Sequence, residues 1–211
     1  MDRPRIVIAT RSRHKLAELA ELLRPQRAEL ISLEALGIPG DPIEDGATFE
    51  VNARLKARFY ARLTGLPTIA DDSGIEVAAL DGAPGVRTRR YAGENATDLD
   101  NNAKLLGALA GLPWVERGAR YVCVLAFVVP ERIGARGGLP IVAEARGTLR
   151  GRITEAPRGS GGFGYDPIFE PAGEPVGGRT LGQQSVGEKA AISHRARAAR
   201  RLGLRLARLG Y

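Results

Sequence analysis

The sequence predicts an α/β fold built on a mixed β-sheet. Short apolar runs alternate with helically spaced segments through the first half of the chain, and two long strand-like runs then follow one another late in it. Residues 5–10 read as a short buried strand. Leu16, Leu19, Ala20 and Leu23 give helical spacing over 14–23, and Pro25 ends that helix. Residues 28–32 suit a second strand, and 33–46 form a loop rich in Gly, Pro and Asp. Thr48 is placed to cap a helix from Phe49 to Leu63, which Gly65 and Pro67 stop. Residues 68–71 make a brief strand that runs into Asp72-Ser73-Gly74. A loop over 82–93 precedes a helix capped by Thr97 that reaches Ala110. The two long strands are 120–129 and 141–153. A Gly-rich loop covers 155–166, a turn begins near Ser185, and a basic amphipathic helix runs from His194 to Leu209.

A chain of 211 residues fits one domain, 1–211, or two closely packed lobes. Apolar residues make up 44% of it, enough for a hydrophobic core and against wholesale disorder. No apolar run reaches the roughly 18 residues that a membrane span needs. The polar residues 1–5 lead straight into the first strand, without a long apolar leader. A cytoplasmic location is the expectation, with no membrane partner. The single cysteine, Cys123, excludes a disulfide within the chain and a Cys-rich zinc site, and its apolar neighbours place it in the core. A net charge of +7 favours anionic partners. The chain has only four lysines, at 15, 56, 104 and 189, and three of them fall inside the segments described next.

Thr10, Arg11, Ser12, Arg13, His14 and Lys15 lie between a strand and a helix. Backbone N–H groups at a helix start bind anions, and hydroxyls and Lys15 add to a phosphate site. The glycines of a Walker loop are missing. Asp71 and Asp72 end an apolar strand, where α/β sheets keep ligands. Adjacent strand residues point to opposite faces, so the two acids need not share one site. One carboxylate is suited to Mg²⁺ or to activating water. Phe163, Gly164, Tyr165 and Asp166 close a Gly-rich stretch in which Phe163 can stack on a base and Asp166 can accept from a ring N–H. Lys189, His194 and Arg195 supply donors for carbonyl or phosphate oxygens. Taken singly, each segment also fits a plain structural reading: a polar turn, an Asp-rich turn, a hairpin connection or a helix cap.

Together and in this order, the segments resemble the inosine triphosphate pyrophosphatase (HAM1-like) family. The matching stretches are 10–15, 44–49, Asn52-Ala53 with Lys56-Ala57, 70–74, 82–86, 90–93, 161–169, and Lys189 with Ser193-His194-Arg195. The resemblance implies an elongated α/β fold with two lobes around a central mixed sheet flanked by helices, and a substrate cleft between the lobes. It implies a homodimer and attack of water on the α-phosphorus of ITP, dITP or XTP, which clears deaminated purines from the nucleotide pool. It further implies that 10–15 and Lys56 meet the triphosphate and that Glu44 and Asp72 hold Mg²⁺. Asp72 takes the place of the proton acceptor for the attacking water, and Ser73 touches substrate. Phe163, Gly164, Tyr165, Asp166, Lys189, His194 and Arg195 form the nucleotide and base pocket.

Two positions depart from the family pattern. Ser12 stands where the family has asparagine, and 181–187 lacks the acidic stretch common before the lysine. The related Maf-like nucleotide pyrophosphatases lack the Ser193-His194-Arg195 ending. A nucleic-acid-binding module would need stacking aromatics along a basic stripe, and only 5% of residues are aromatic. Nucleic acid is therefore not an expected partner.

Overall fold

The structure is a computed structural model that describes residues 3–25, 27–130 and 139–211; Met1 and Asp2, the start of the polar lead, lie outside the described residues. Six strands form one sheet: β1 (Arg5–Ala9), β2 (Glu29–Ser32), β3 (Thr68–Val77), β4 (Gly118–Val128), β5 (Ile141–Ile153) and β6 (Phe169–Pro171), in the order β2-β1-β3-β4-β5-β6. β1 is parallel to β2 and to β3, whereas β6 is antiparallel to β5, so the sheet is mixed as expected. The helices are α1 (Arg13–Leu23), α2 (Phe49–Thr64), α3 (Asp98–Ala108), α4 (Val186–Ile192) and α5 (His194–Arg208).

Local chemistry explains the helix ends. Ser12, Thr48 and Thr97 cap α1, α2 and α3 by accepting from backbone N–H groups three residues on. Each such cap stabilises its helix by about 1 kcal/mol. Gly65 closes α2 in the left-handed region at φ 67°, which costs glycine nothing. Among the described residues, no helix is long and apolar enough to cross a membrane.

The chain divides into two compact units. The first comprises residues up to 72, 123–147 and 195–211; the second comprises 73–122 and 148–194. The core of the first unit joins Ile6, Ile8 and Ile69 to Leu19 of α1, to Leu125 and Phe127 of β4, and to Ala198 and Leu202 of α5. The core of the second joins Ile75 and Val77 of β3 to Leu105 of α3, Tyr121 of β4, Leu149 and Ile153 of β5, and Phe169 of β6.

Three segments differ from the sequence expectation. β3 does not stop at Asp71 but continues to Val77, because cations compensate the buried Asp71 and Asp72 within the strand. Residues Gly85–Arg90 form a 3-10 helix inside the expected loop. The turn near Ser185 is a helix, α4: the Ser185 hydroxyl accepts from Glu188 N–H, and Glu188 returns the contact to Ser185 N–H.

Candidate active site

The expected site residues fall into one cluster in each unit. In the first, β3 carries the two acids to partners on opposite sides. Asp71 is buried and pairs with Lys15 Nζ at 2.9 Å. Asp72 is buried beside Lys56, whose Nζ donates to Asp72 Oδ1 at 3.0 Å and to Glu44 Oε2 at 2.8 Å. The alternation along β3 thus separates the two acids by partner, as period-two geometry requires.

The electrostatics follow from burial and charge. Burial alone would raise the Asp71 carboxyl, but Lys15, Arg195 and Lys56 outweigh it and hold the group well below the usual carboxylate range. For Asp72, burial wins over Lys56 and Lys15, and its pKa rises above the ordinary value. Burial would lower Lys56, but Asp72, Asp71 and Glu44 together push it upward, so it stays an ammonium.

Asn52, which the sequence reading passed over as a site residue, sits in the same cluster. Its Nδ2 donates to Asp72 Oδ2 at 3.3 Å and to the Gly46 carbonyl at 3.4 Å, while its Oδ1 accepts from Gly46 N–H at 2.9 Å. It lies one helical turn before Lys56 on α2, so a polar residue on the buried face of that helix was the available signal.

The remaining predicted phosphate residues surround the start of α1. Thr10 Oγ1 accepts from Ser12 N–H at 3.3 Å, and Ser12 Oγ accepts from Lys15 N–H at 3.4 Å. Serine is therefore sufficient as the cap here. Arg13 and His14 are exposed on the first turn. Arg11 reaches the loop before α2, where it donates to Asp41 Oδ1 at 3.2 Å and to the Gly40 carbonyl at 2.6 Å.

Arg195 belongs to this first unit, at the start of α5. It is buried, ion-pairs with Glu18 of α1, and contributes charge to Asp71. Ser73, the next residue along β3, is half-buried and opens the second unit.

In the second unit, Asp166 gathers the other cluster. Its Oδ2 accepts from Lys189 Nζ at 2.7 Å and from Phe163 N–H at 2.9 Å, and its Oδ1 accepts from Tyr121 Oη at 3.3 Å. The Tyr121 ring stacks on His194, with centroids 4.6 Å apart and planes 5° from parallel. Lys189 Nζ lies 4.5 Å from the centre of the Phe163 ring, a cation–π arrangement. Gly162 makes this possible: it has φ 74°, and a Cβ there would collide with the Asp166 carboxylate. Tyr165 is buried and donates to the Thr88 carbonyl at 2.8 Å. Both backbone polar groups of Gly164 are engaged by α3, through Asp98 and Asn102. Tyr121 was missed in sequence because it lies within the apolar run of β4, where its ring reads as core.

Among the described residues no three His, Cys, Asp or Glu side chains gather as a metal site. The pair Glu44 and Asp72 nevertheless fits magnesium. Oxygens of both converge on the one point where the Lys56 ammonium sits, and Mg²⁺ commonly takes one or two carboxylates with substrate phosphates and water.

The sequence pattern of the Ham1 family matches residues 6–203. A dITP/XTP pyrophosphatase of Syntrophobacter fumaroxidans is 46% identical, over 94% of this chain and 80% of the relative. One of Geobacillus kaustophilus is 46% identical, over 93% of this chain and 91% of its own length. A HAM1 protein of Coxiella burnetii of known structure superposes with a TM-score of 0.83 at 41% identity, covering 97% of this chain and 99% of that one. The nucleoside-triphosphatase / dITP/XTP pyrophosphatase of Mycobacterium abscessus gives 0.73 at 41% identity, over 94% and 98%.

Proposed function

The chain belongs to the Ham1 family, and from that premise we propose that it hydrolyses dITP, ITP and XTP to the monophosphate and pyrophosphate. The observation that carries the reading is Lys56 held between Glu44 and Asp72, with Lys15 from the first turn of α1 paired to the adjacent Asp71 and adding its charge at Asp72.

In this proposal the triphosphate meets residues 10–15 and Lys56, with Ser73 also in contact. Lys15 and Lys56 offset its charge. Asp72 orients the attacking water and accepts its proton; a carboxyl raised by burial is a stronger base than an ordinary aspartate. The water oxygen bonds to the α-phosphorus, the bond to the bridging oxygen breaks, and pyrophosphate leaves. Asn52 holds Asp72 in orientation from the side opposite its Lys56 contact with the other carboxylate oxygen. Glu44 and Asp72 would hold Mg²⁺, which when bound offsets the negative charge growing on the leaving pyrophosphate. Asp71, paired with Lys15, supports the strand end and is not the base.

The second cluster takes the purine. Phe163 offers a ring face for stacking, and Asp166 fixes Lys189 as a donor. A 6-keto purine accepts where adenine's 6-amino group donates, so donors such as Lys189 and His194 favour hypoxanthine and xanthine and leave adenine mispaired. The role in the cell is removal of deaminated purines from the nucleotide pool, in the cytoplasm.

The elongated two-lobed shape with a substrate cleft, and the homodimer, belong to the same proposal. For the dimer the support is an apolar row on α2: Val51, Leu55, Phe59 and Leu63 recur every four residues, and Val51, Phe59 and Leu63 are exposed.

The test is a substrate panel of ITP, dITP, XTP and ATP with Mg²⁺. Turnover of the 6-keto purines well above ATP is expected; equal or absent turnover on all of them overturns the reading. Asp72→Asn should lower turnover by roughly 10²–10⁴-fold while the protein stays folded.

A further inference from the structure

One residue of the Phe163–Asp166 segment, Gly164, is held at both its backbone polar groups, and so through both its flanking peptides, by a single helix. Gly164 N–H donates to Asp98 Oδ2 at 2.7 Å, and the Gly164 carbonyl accepts from Asn102 Nδ2 at 3.1 Å. Asp98 and Asn102 are four residues apart on α3, so they lie one turn above the other on the same face.

The helix that holds this residue is itself firmly placed. Thr97 and Asp100 form a capping box at its start. Asn101 donates to the Arg89 carbonyl at 2.9 Å and accepts from Ala92 N–H at 2.8 Å, and Leu105 is fully buried in the core. On the other side, Gly164 lies in the left-handed region at φ 62°. It separates Phe163, whose ring faces Lys189, from the buried Tyr165. Asp98 holds the peptide that Gly164 shares with Phe163, and Asn102 the one it shares with Tyr165, so together they fix the backbone from which the Phe163 ring is presented.

Asn102 carries a further mark. It is 3% exposed, and its Oδ1 has no hydrogen-bond partner among the described residues. A buried acceptor without a partner opposes folding. The amide thus fixes the loop at the expense of its own solvation, which a contact serving stability alone does not explain.

We propose that Asp98 and Asn102 are positioning residues for purine discrimination, acting through the Gly164 backbone on the Phe163 ring. The inference rests on the base pocket proposed above. It adds two residues of α3 that touch neither substrate nor the reacting atoms.

Two measurements on the full-length protein test it. The first is the ratio of kcat/KM for ITP over ATP in Asp98→Ala, Asp98→Asn and Asn102→Leu. Asp98→Ala and Asn102→Leu should lower the ratio about fivefold to tenfold, the effect of one lost hydrogen bond, through a raised KM for ITP with kcat nearly kept. Asp98→Asn retains an acceptor for Gly164 N–H and should restore the ratio to near that of the unaltered protein. A ratio unchanged in Asp98→Ala and Asn102→Leu, or an equal fall of kcat on both nucleotides, overturns the proposal. The second is amide hydrogen exchange over residues 159–166, which should quicken about fivefold or more in Asp98→Ala and not in Asp98→Asn; unchanged exchange also overturns it. Absence of turnover by the unaltered protein on every purine overturns the base-pocket reading instead, and exchange then decides the clamp alone.

Discussion

Lys56 donates to Asp72 across 3.0 Å, and both side chains are buried. The ammonium also reaches Glu44, so one cation balances two carboxylates. Removing one partner of a buried pair costs about 3–5 kcal/mol, because the other charge is left uncompensated. Lys56→Met should therefore melt roughly 6–20 °C lower without divalent metal, taking about 2–4 °C per kcal/mol for a chain of this size. Added Mg²⁺ should then raise the melting temperature more in the variant than in the unaltered protein, because the carboxylates attract the metal without a competing ammonium. Thermal melts with and without Mg²⁺ check this, and an equal metal shift in both proteins refutes it.

Tyr121 makes two separable contacts. Its hydroxyl is 3.3 Å from Asp166, a long bond, whereas its ring stacks on His194 and lies 4.7 Å from the Phe169 ring. Tyr121→Phe should change KM for ITP by less than about threefold, since Lys189 and Phe163 N–H still hold Asp166. Tyr121→Ala removes a buried ring and should destabilise by about 3 kcal/mol or more. Denaturant unfolding and steady-state kinetics on the two variants separate the contributions.

Cys123 is fully buried, and burial pushes its thiol up to about 12, with the Arg195 charge opposing only in part. At pH 8 a thiol reagent should label the folded protein negligibly and the guanidinium-unfolded protein completely. The sign for stability follows. The folded state holds this proton more tightly than the unfolded chain, so the contribution is present in full below about pH 9 and is lost as pH rises toward 12. Cys123→Ala should soften the alkaline loss of stability, measured by unfolding between about pH 8 and about pH 12, a range that spans the ordinary thiol value and the raised one.

Much of the fold was legible because it rests on local pattern. Thr48, Thr97, Gly65 and the apolar spacing of Leu16, Leu19 and Leu23 each act within a few residues of their own position. Strand alternation allowed Asp71 and Asp72 to serve different sites, and the structure gives them different partners. What stayed hidden depends on residues distant in sequence. Lys56 and Asp72 are sixteen positions apart and Tyr121 and Asp166 forty-five. A strand carrying two acids looks like a turn until the cations that compensate them are in place. Asn52 was visible as part of a family stretch and as a polar residue on the buried face of α2, but neither signal betrays its three hydrogen bonds. The division of His194 and Arg195 between the two units has no local signature at all.

Two glycines report on the clusters without altering any charged group. At Gly46 a Cβ would collide with Asn52 Oδ1 and the Val51 side chain, so Gly46→Ala must displace Asn52 from the backbone that it pairs with. Asn52 is also the amide that donates to Asp72, and its displacement disturbs the proposed base. At Gly162 a Cβ would collide with Asp166 Oδ2, the atom that holds Lys189 and Phe163 N–H, and φ is 74° there. The two substitutions should fail differently. Gly46→Ala should lower kcat by about tenfold or more with KM for ITP nearly kept, because a disturbed water-activating group acts on the chemical step. Gly162→Ala should raise KM for ITP and lower the preference for ITP over ATP, because the disturbed groups are those that meet the base. Steady-state kinetics on both nucleotides decide the matter. A rise in KM alone for Gly46→Ala, or a fall in kcat alone for Gly162→Ala, would assign the clusters the other way round.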